Sequence, residues 1–567
     1  MTYRLNGCGW VGLIVLACAS VGVASPQEEA VGPRVLDVSG FGAVAGDGKD
    51  DAPAINGALE AAGEGDTVQI GKGTWEIGST IIARSDVTLT GAGREETKLK
   101  FVGKAAMAML RLEDLRNVTI SKLTFDGDNS PSAAQGIVAN KSEKINLNDV
   151  RVANLGAASG FGPHGVYFSS KVTGSIITNC AFANIGPASE WGAGIRIAHE
   201  SSGNKVIGCT IDNTGRGGIL VDNNSTDLVI QQNTITRTGR SNNGGGNGLG
   251  IELWGGAHRS VVEDNRLDHW LSVDSSNQVA VRRNVISDKS GSFKWTGLEL
   301  VDSQDVAFTD NVVDGGAKIG ISISGAGAKK RIYFGHNTVK DCSTWGAQVQ
   351  GEAGKASAMY FYGNTFSGAV KQGPDTLYAP QGHGFRFNGG AENIVLDSNT
   401  IKANQGAGVQ IAGEKVGELS FIKNTITHNG AEALDGPAAL GTWVENQVSG
   451  NRKNNIPSNS GGGKLPFAAI VSEGVAVVGE TLSFTVKATG IGPVTNVLWD
   501  FGDGCPVTSV SATHAFSAAG EYRVTAVAWD AAGRAAMCEM MVKVGEDRHV
   551  QRGASLEGLL EMYDERW

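Results

Sequence analysis

The chain has 567 residues, of which 81 are Gly, 19% are charged and 7% are aromatic; that is too long for one compact core and long enough for a solenoid plus a small module. Gly costs about 1 kcal/mol at an interior helix position, so this composition disfavours helical bundles and suits a fold of many tight turns. A formal net charge of −10 argues against nucleic acid as a partner, since that binding needs clustered cations, and makes a polyanionic substrate less natural without a metal or a local basic patch.

Residues 1–25 have the pattern of an export signal. Arg4 supplies a short basic region, and Trp10 to Ala19 is an apolar run too short to span a bilayer comfortably. Ala17 and Ala19 fit cleavage after Ala19, and a site near Ala24 or Ser25 is a second option. Val15-Leu16-Ala17-Cys18 also resembles a bacterial lipobox, which would anchor the chain through Cys18. No later segment reads as a transmembrane helix, so the expected destination is secreted, periplasmic or cell-surface. Beyond the signal lie Cys180, Cys209, Cys342, Cys505 and Cys538, an odd set that cannot all pair within one chain. Cys505 and Cys538 are candidates for a disulfide; Cys180 and Cys209 are either stacked buried thiols or a bridge.

Residues 35–85 form a distinct opening. Gly46-Asp47-Gly48-Lys49-Asp50-Asp51 precedes the Ala-rich stretch Ala52 to Ala62, with Asp51 as the expected N-cap and Asp50 near the positive end of the helix. The alternative reading of this Asp-rich loop is a Ca²⁺ site. A short strand pair, Thr67 to Ile70 and Thr74 to Ile77, follows. This opening resembles the N-terminal segment of the pectate-lyase-like β-helix superfamily, which implies a short helix plugging the end of a solenoid.

From about residue 85 to 450 the chain repeats. Units open with Gly and alternating residues: Gly165-Val-Tyr-Phe, Gly194-Ile-Arg-Ile, Gly218-Ile-Leu-Val, Gly250-Ile-Glu-Leu, Gly297-Leu-Glu-Leu, Gly320-Ile-Ser-Ile, Gly346-Ala-Gln-Val, Gly384-Phe-Arg-Phe and Gly408-Val-Gln-Ile. Such recurrence is the mark of solenoid coils. A second series, Asn233, Asn265, Asn284, Asn311, Asn337, Asn364, Asn399 and Asn424, ends the second strand of each unit, with Cys180 and Cys209 in that place in two earlier coils. Stacked Asn side chains at a bend hydrogen-bond from coil to coil, so these residues are structural. Three strands per coil with such a bend resembles the right-handed parallel β-helix of pectate lyases and polygalacturonases over residues 35–450. The fold class is therefore all-β: a right-handed three-strand β-helix with an N-terminal capping helix, then a small sandwich. In that family the groove lies over the first strand, walled by flanking loops such as 240–247 and 370–381 here.

Residues 450–465 form a Gly/Ser-rich linker. Residues 466–545 resemble a PKD-type immunoglobulin-like sandwich, through Trp499-Asp500-Phe501-Gly502-Asp503-Gly504, His514-Ala515-Phe516, Gly520-Glu521-Tyr522 and Val524; no chemistry is expected there. The tail, 546–567, contains one short amphipathic helix candidate, Ser555 to Tyr563.

Strand alternation points the apolar residues after each Gly inward and those between them outward over the groove. One outward column reads Tyr167, Arg196, Leu220, Glu252, Ser272, Glu299, Ser322, Gln348, Arg386; two residues further on, the other reads Ser169, Ala198, Asp222, Trp254, Asp274, Val301, Ser324, Gln350, Asn388. Asp222, Glu252, Asp274 and Glu299 lie on four consecutive coils. Coils stack about 4.8 Å apart, so pairs of these carboxylates span the roughly 5–5.5 Å of retaining and the 6.5–9.5 Å of inverting glycosidases, and crowding would keep one protonated. These four are the catalytic candidates, with Asp302 either a turn residue or a fifth member. Trp254 is expected to stack on a sugar, with Arg196, Gln348, Arg386, Asn388, His164 and His383 as further substrate contacts. Gly382-His383-Gly384 looks like the Gly-His-Gly of polygalacturonases, but that family's companion motifs are not found around it in order, so His164 and His383 are taken as wall residues.

The leading functional expectation is a polysaccharide-cleaving glycoside hydrolase that needs no cofactor. The alternatives are a polysaccharide lyase or uronate epimerase, with Tyr167, His164 or Arg196 as base and Ca²⁺ held by the acidic cluster, and a non-catalytic glycan-binding surface protein.

Overall fold

The structure, a computed structural model, describes residues 32–157, 161–239, 249–288, 296–352, 355–371, 381–413, 415–457 and 465–546. The expected export signal with Cys18, loop 240–247, the 372–380 part of the second wall loop and the tail helix lie outside the described residues. Among the described residues no helix is long and apolar enough to cross a membrane.

The capping helix spans Ala52–Ala61 and buries Ala52, Ile55, Ala58 and Leu59 against the first coils. Asp51 does not cap it through its side chain. Its buried carboxylate instead accepts from the backbone N–H groups of Val44 and Glu76, both at 2.9 Å, while Asp50 takes the Ala52 N–H at 3.1 Å and Gly78 N–H at 2.7 Å. Joining the opening loop to the first coil satisfies more backbone donors than a local cap would. Thr67–Gln69 and Gly73–Ile77 are not partners of each other: the former pairs with Val35–Asp37 and Thr88–Thr90, the latter with Thr97–Phe101, each in parallel. Stacking coil on coil requires this, because consecutive strands of one coil lie on different walls.

Above the cap the described chain winds as a parallel solenoid. One wall is a 14-stranded sheet of first strands from Ile81–Ile82 to Leu434–Asp435; the second and third strands of the coils join in a 29-stranded sheet bent at each coil. The interior is a continuous stack of Ile, Val, Leu and Phe, with Phe308, Phe334 and Phe361 layered at 4.6–4.8 Å between ring centres. At the bend, each Asn from Asn233 to Asn424 gives its amide N–H to the side-chain oxygen of the next at 2.9–3.0 Å, and Asn446 closes the run. Cys180 and Cys209 occupy the same place as buried free thiols, and the Cys209 N–H donates to Asn233 Oδ1 at 2.9 Å. These polar groups are buried and fully used, which is the structural role the repeats implied.

The C-terminal sandwich packs a three-stranded sheet (Phe467–Glu473, Thr481–Thr489, Ser511–Ala515) on a four-stranded one (Val494–Asp500, Val507–Thr508, Gly520–Asp530, Ala535–Val544) around Phe484, Trp499, Phe501 and Phe516. Its Leu498, Val527, Trp529 and Ala535 bury against Ala307, Tyr333, Tyr360, Val395 and Ile422 on the outside of the second-strand wall. The groove over the first strands is therefore not covered by this module. Cys505 and Cys538 are free thiols, not the expected disulfide: Cys505 lies near Arg282 and Arg259 of the solenoid, and Cys538 near Tyr360.

Candidate active site

The strand register places the outward residues as the alternation implied. Tyr167, Arg196, Leu220, Glu252, Ser272, Glu299, Ser322, Gln348 and Arg386 are successive Cα partners on adjacent first strands. In the second column Trp254, Asp274, Val301 and Ser324 follow one another, as do Gln350 and Asn388. Asp222 lies directly after Val221, whose partner is Leu253, and so sits one coil before Trp254.

The column does not stand in open solvent. Arg196 and Asp222 are 4% and 5% exposed and form an ion pair at 2.5 Å, so neither is displayed for direct contact with a sugar. Long side chains one coil apart reach each other, and a guanidinium beside a carboxylate on such a wall closes into a pair. Glu252 is half-buried and takes Arg216 Nη2 at 3.1 and 3.2 Å. Glu299 accepts from Ser272 Oγ at 2.6 Å. Asp274 accepts from Ser275 Oγ at 2.8 Å. Asp302 is a turn residue with a positive φ, accepting from Gly327 N–H and lying 3.4 Å from the Lys329 ammonium, and its charge adds to the rise at Asp274.

Burial, more than crowding, raises the proton affinity of these carboxylates. Glu299 is pushed up to about 7, first by desolvation, with the Ser272 hydroxyl opposing and the charges of Asp274 and Glu252 adding to the rise. Glu252 is likewise held above the usual carboxylate range by burial, against the opposing charge of the Arg216 guanidinium. Asp222 and Asp274 are also raised by burial, the former against Arg196. Burial thus holds both glutamates above the usual carboxylate range, opposed at Glu299 by the Ser272 hydroxyl and at Glu252 by the Arg216 guanidinium.

Beside Glu299 opens a pocket of about 290 Å³ lined by Trp270, Trp345, Lys318, Gln348 and Gln350, among others. Gln348 donates to Gln350 Oε1 at 3.0 Å, and Asn388 donates to the same oxygen at 3.2 Å. Arg386 lies over the Trp345 ring, 4.4 Å from its centre. Trp254 is 46% exposed at the edge of the acidic patch.

His164 is fully buried, its Nδ1 3.1 Å from Gln135 Oε1, and burial lowers its pKa to about 3. His383 accepts the Ala407 N–H on Nδ1 at 2.9 Å and is lowered to about 4 by burial. Both are neutral wall residues and not displayed to substrate. Tyr167 holds its proton above the usual phenol range through burial. Among the described residues no group of three or more His, Cys, Asp or Glu is arranged to hold a metal ion.

A family model described as the right handed beta helix region matches residues 110–284 and 271–456. The chain belongs to the right-handed β-helix family. A second model, the PKD domain, matches residues 465–542 of this β-helix protein. No curated protein matches it in sequence. Among solved structures it is similar to the A-module of the mannuronan C-5 epimerase AlgE6 of Azotobacter vinelandii, at 17% identity over 73% of this chain and 99% of the other, with a TM-score of 0.40. It is also similar to the N-terminal fragment of bacteriophage Phi29 gene product 12 (14% identity, 75% and 73% covered, TM-score 0.45) and to PfbA, a surface adhesin of Streptococcus pneumoniae (12%, 72% and 91%, TM-score 0.38). Likenesses this distant assign no activity to the β-helix.

Several residues of the β-helix groove escape a reading confined to the positions after each Gly. Trp191, Arg216 and Trp270 stand just ahead of first strands, and Trp345 opens one. The signal was present: large aromatic or cationic side chains immediately before an inward-facing strand, in coil after coil.

Proposed function

We propose that the chain is a polysaccharide-cleaving glycoside hydrolase working on the first-strand face. The observation that carries this reading is the pairing of Glu299, with a pKa of about 7, and an Arg216-bound Glu252 two coils away in the same outward column. Two coils correspond to about 9.6 Å, at the upper edge of the roughly 6.5–9.5 Å that leaves room for a water. Glu299 gives its proton to the glycosidic oxygen as the bond breaks. Glu252, ionised beside Arg216, takes a proton from the water that attacks the opposite face of the sugar, and the anomeric configuration inverts. Asp274, diagonal to both, offers negative charge to the oxocarbenium-like transition state, and Trp254 offers a face for a neighbouring ring. Proton abstraction beside a uronate finds less support, because Arg196 is locked to Asp222 and His164 is buried and neutral.

The test is incubation with a polysaccharide panel, assaying reducing ends and ultraviolet-absorbing unsaturated products separately. Reducing ends from the wild type, absent from Glu299→Gln and Glu252→Gln, are the expected result. Unsaturated products, or cutting that survives both substitutions, would contradict it.

A further inference from the structure

An exposed aromatic pair borders the same groove: Trp191 precedes the first strand four coils before that of Glu299, and Phe161 the strand one coil earlier still. Phe161 is 47% and Trp191 38% exposed, and their rings lie 5.6 Å apart at 37°. Apolar rings displayed in this way need a physical account. Each has a cation beneath it: the Arg196 guanidinium carbon lies 3.9 Å from the Phe161 ring centre, and that of Arg216 lies 5.0 Å from Trp191. Arg196 is buried, and its Nε and Nη1 have no hydrogen-bond partner among the described residues, so the ring faces take the place of acceptors. Arg196 points outward from the groove floor, so Phe161, stacked on it, turns its other face to solvent.

The two loops bearing these rings are fixed to each other. Ser189, buried, donates to the Gly162 carbonyl at 2.5 Å and receives the Trp191 N–H at 3.3 Å. A rigid aromatic face costs little order on binding, and the apolar C–H face of a pyranose is its natural complement.

We infer that Phe161 and Trp191 form a remote sugar-binding platform, taking a pyranose ring of the same glycan chain whose cleavage is proposed at Glu299. This rests on that reading of the groove, because the occupant follows from continuity: Arg196, which carries Phe161, stands in the same outward column as Glu252 and Glu299. Four coil steps are about 19 Å. A sugar of an extended glycan is about as long as one coil step, so a hexasaccharide spans both sites and a trisaccharide does not. The platform therefore makes affinity depend on chain length.

The experiment measures binding of the Glu299→Gln protein, which leaves ligands uncut, to an array of neutral and uronate-containing tri- and hexasaccharides. Trp191→Ala and Phe161→Ala are expected to weaken hexasaccharide binding by about tenfold or more, on the scale of a lost stacking contact. Trp191→Phe should retain most of the affinity, and trisaccharides should bind all variants alike. Unchanged melting temperatures are expected, since both rings are exposed. The platform is overturned if the alanine variants bind hexasaccharides as the parent does, if tri- and hexasaccharide binding fall together, or if the parent binds nothing on the array. It is equally overturned if the sole effect of Trp191→Ala is loss of a self-associated dimer in sedimentation. A hexasaccharide that the wild type binds through Trp191 but never cuts would instead sink the hydrolase reading and leave the platform standing.

Discussion

At the scale of single residues, the groove is a contest between burial and pairing. Glu299 and Glu252 occupy equivalent positions two coils apart, yet one faces a serine hydroxyl and the other a guanidinium. A general acid must be protonated and a general base ionised, so activity should fall as pH rises through about 7 and fall again on the acid side as Glu252 is protonated, giving a bell-shaped profile. Arg216→Gln removes the charge that opposes the burial-driven rise at Glu252; the acid limb should move to higher pH while the alkaline limb stays, and Arg216→Lys should restore part of the shift. The same burial has a cost in stability. Because the folded protein holds the Glu299 proton above the range where the unfolded chain releases it, stability falls as pH rises from about 4 through about 7. Glu299→Gln should therefore stabilise the protein at pH 8 by up to ~3 kcal/mol and have little effect at pH 4, as read from denaturant midpoints. Of these details the sequence revealed only the positions. Alternation placed Glu252, Ser272 and Glu299 in one outward column, but the partner of Glu252, Arg216, stands before the Gly of a neighbouring coil, and Arg196–Asp222 pairing removes two residues that the pattern alone would have offered to a substrate.

At the scale of elements, the solenoid is stabilised by repetition of one polar device. Each interior Asn satisfies the backbone and side chain of its neighbours, so removing one leaves donors and acceptors of two coils unpaired. Asn337→Ala, in mid-ladder, should cost about 2–3 kcal/mol, whereas Asn446→Ala, at the end of the run, half-buried and giving its amide N–H to the Phe421 carbonyl where Asn337 also gives one to the next Asn, should cost less; chemical denaturation of both variants decides. This ladder was plain in the sequence because its period is the coil itself and its residue type hardly varies. The capping segment was less legible: Asp51 has the residue type of an N-cap, but a tertiary demand, the donors of Val44 and Glu76, claims its carboxylate.

At the scale of the whole molecule, the sandwich is held to the solenoid by more than its linker. Arg282, buried, lies between Glu263 of the solenoid, 3.1 Å away, and Asp500 of the sandwich, 3.2 Å away, and Trp529 buries beside Tyr333 and Tyr360. Breaking a buried pair leaves its partners uncompensated, so Arg282→Ala should loosen this docking by about 3–5 kcal/mol, as read from chemical denaturation, while leaving cleavage activity in place. The docking face escaped sequence reasoning, although Ala280, Ala307, Tyr333, Tyr360 and Val395 follow one another as outward positions on successive second strands. An apolar outward column signals a covered wall, and the covering module was legible from its own motif; what linked the two was the register, which only the coordinates supply. With that wall covered, the first-strand face is left to the substrate, and the reaction there is what most needs testing. Proton NMR of polysaccharide digestion in D₂O follows hydrolysis, elimination and epimerisation at once. The account predicts new reducing-end anomeric signals of inverted configuration that vanish in Glu299→Gln; a vinylic proton signal, or deuterium entering the sugar ring without new chain ends, would contradict it.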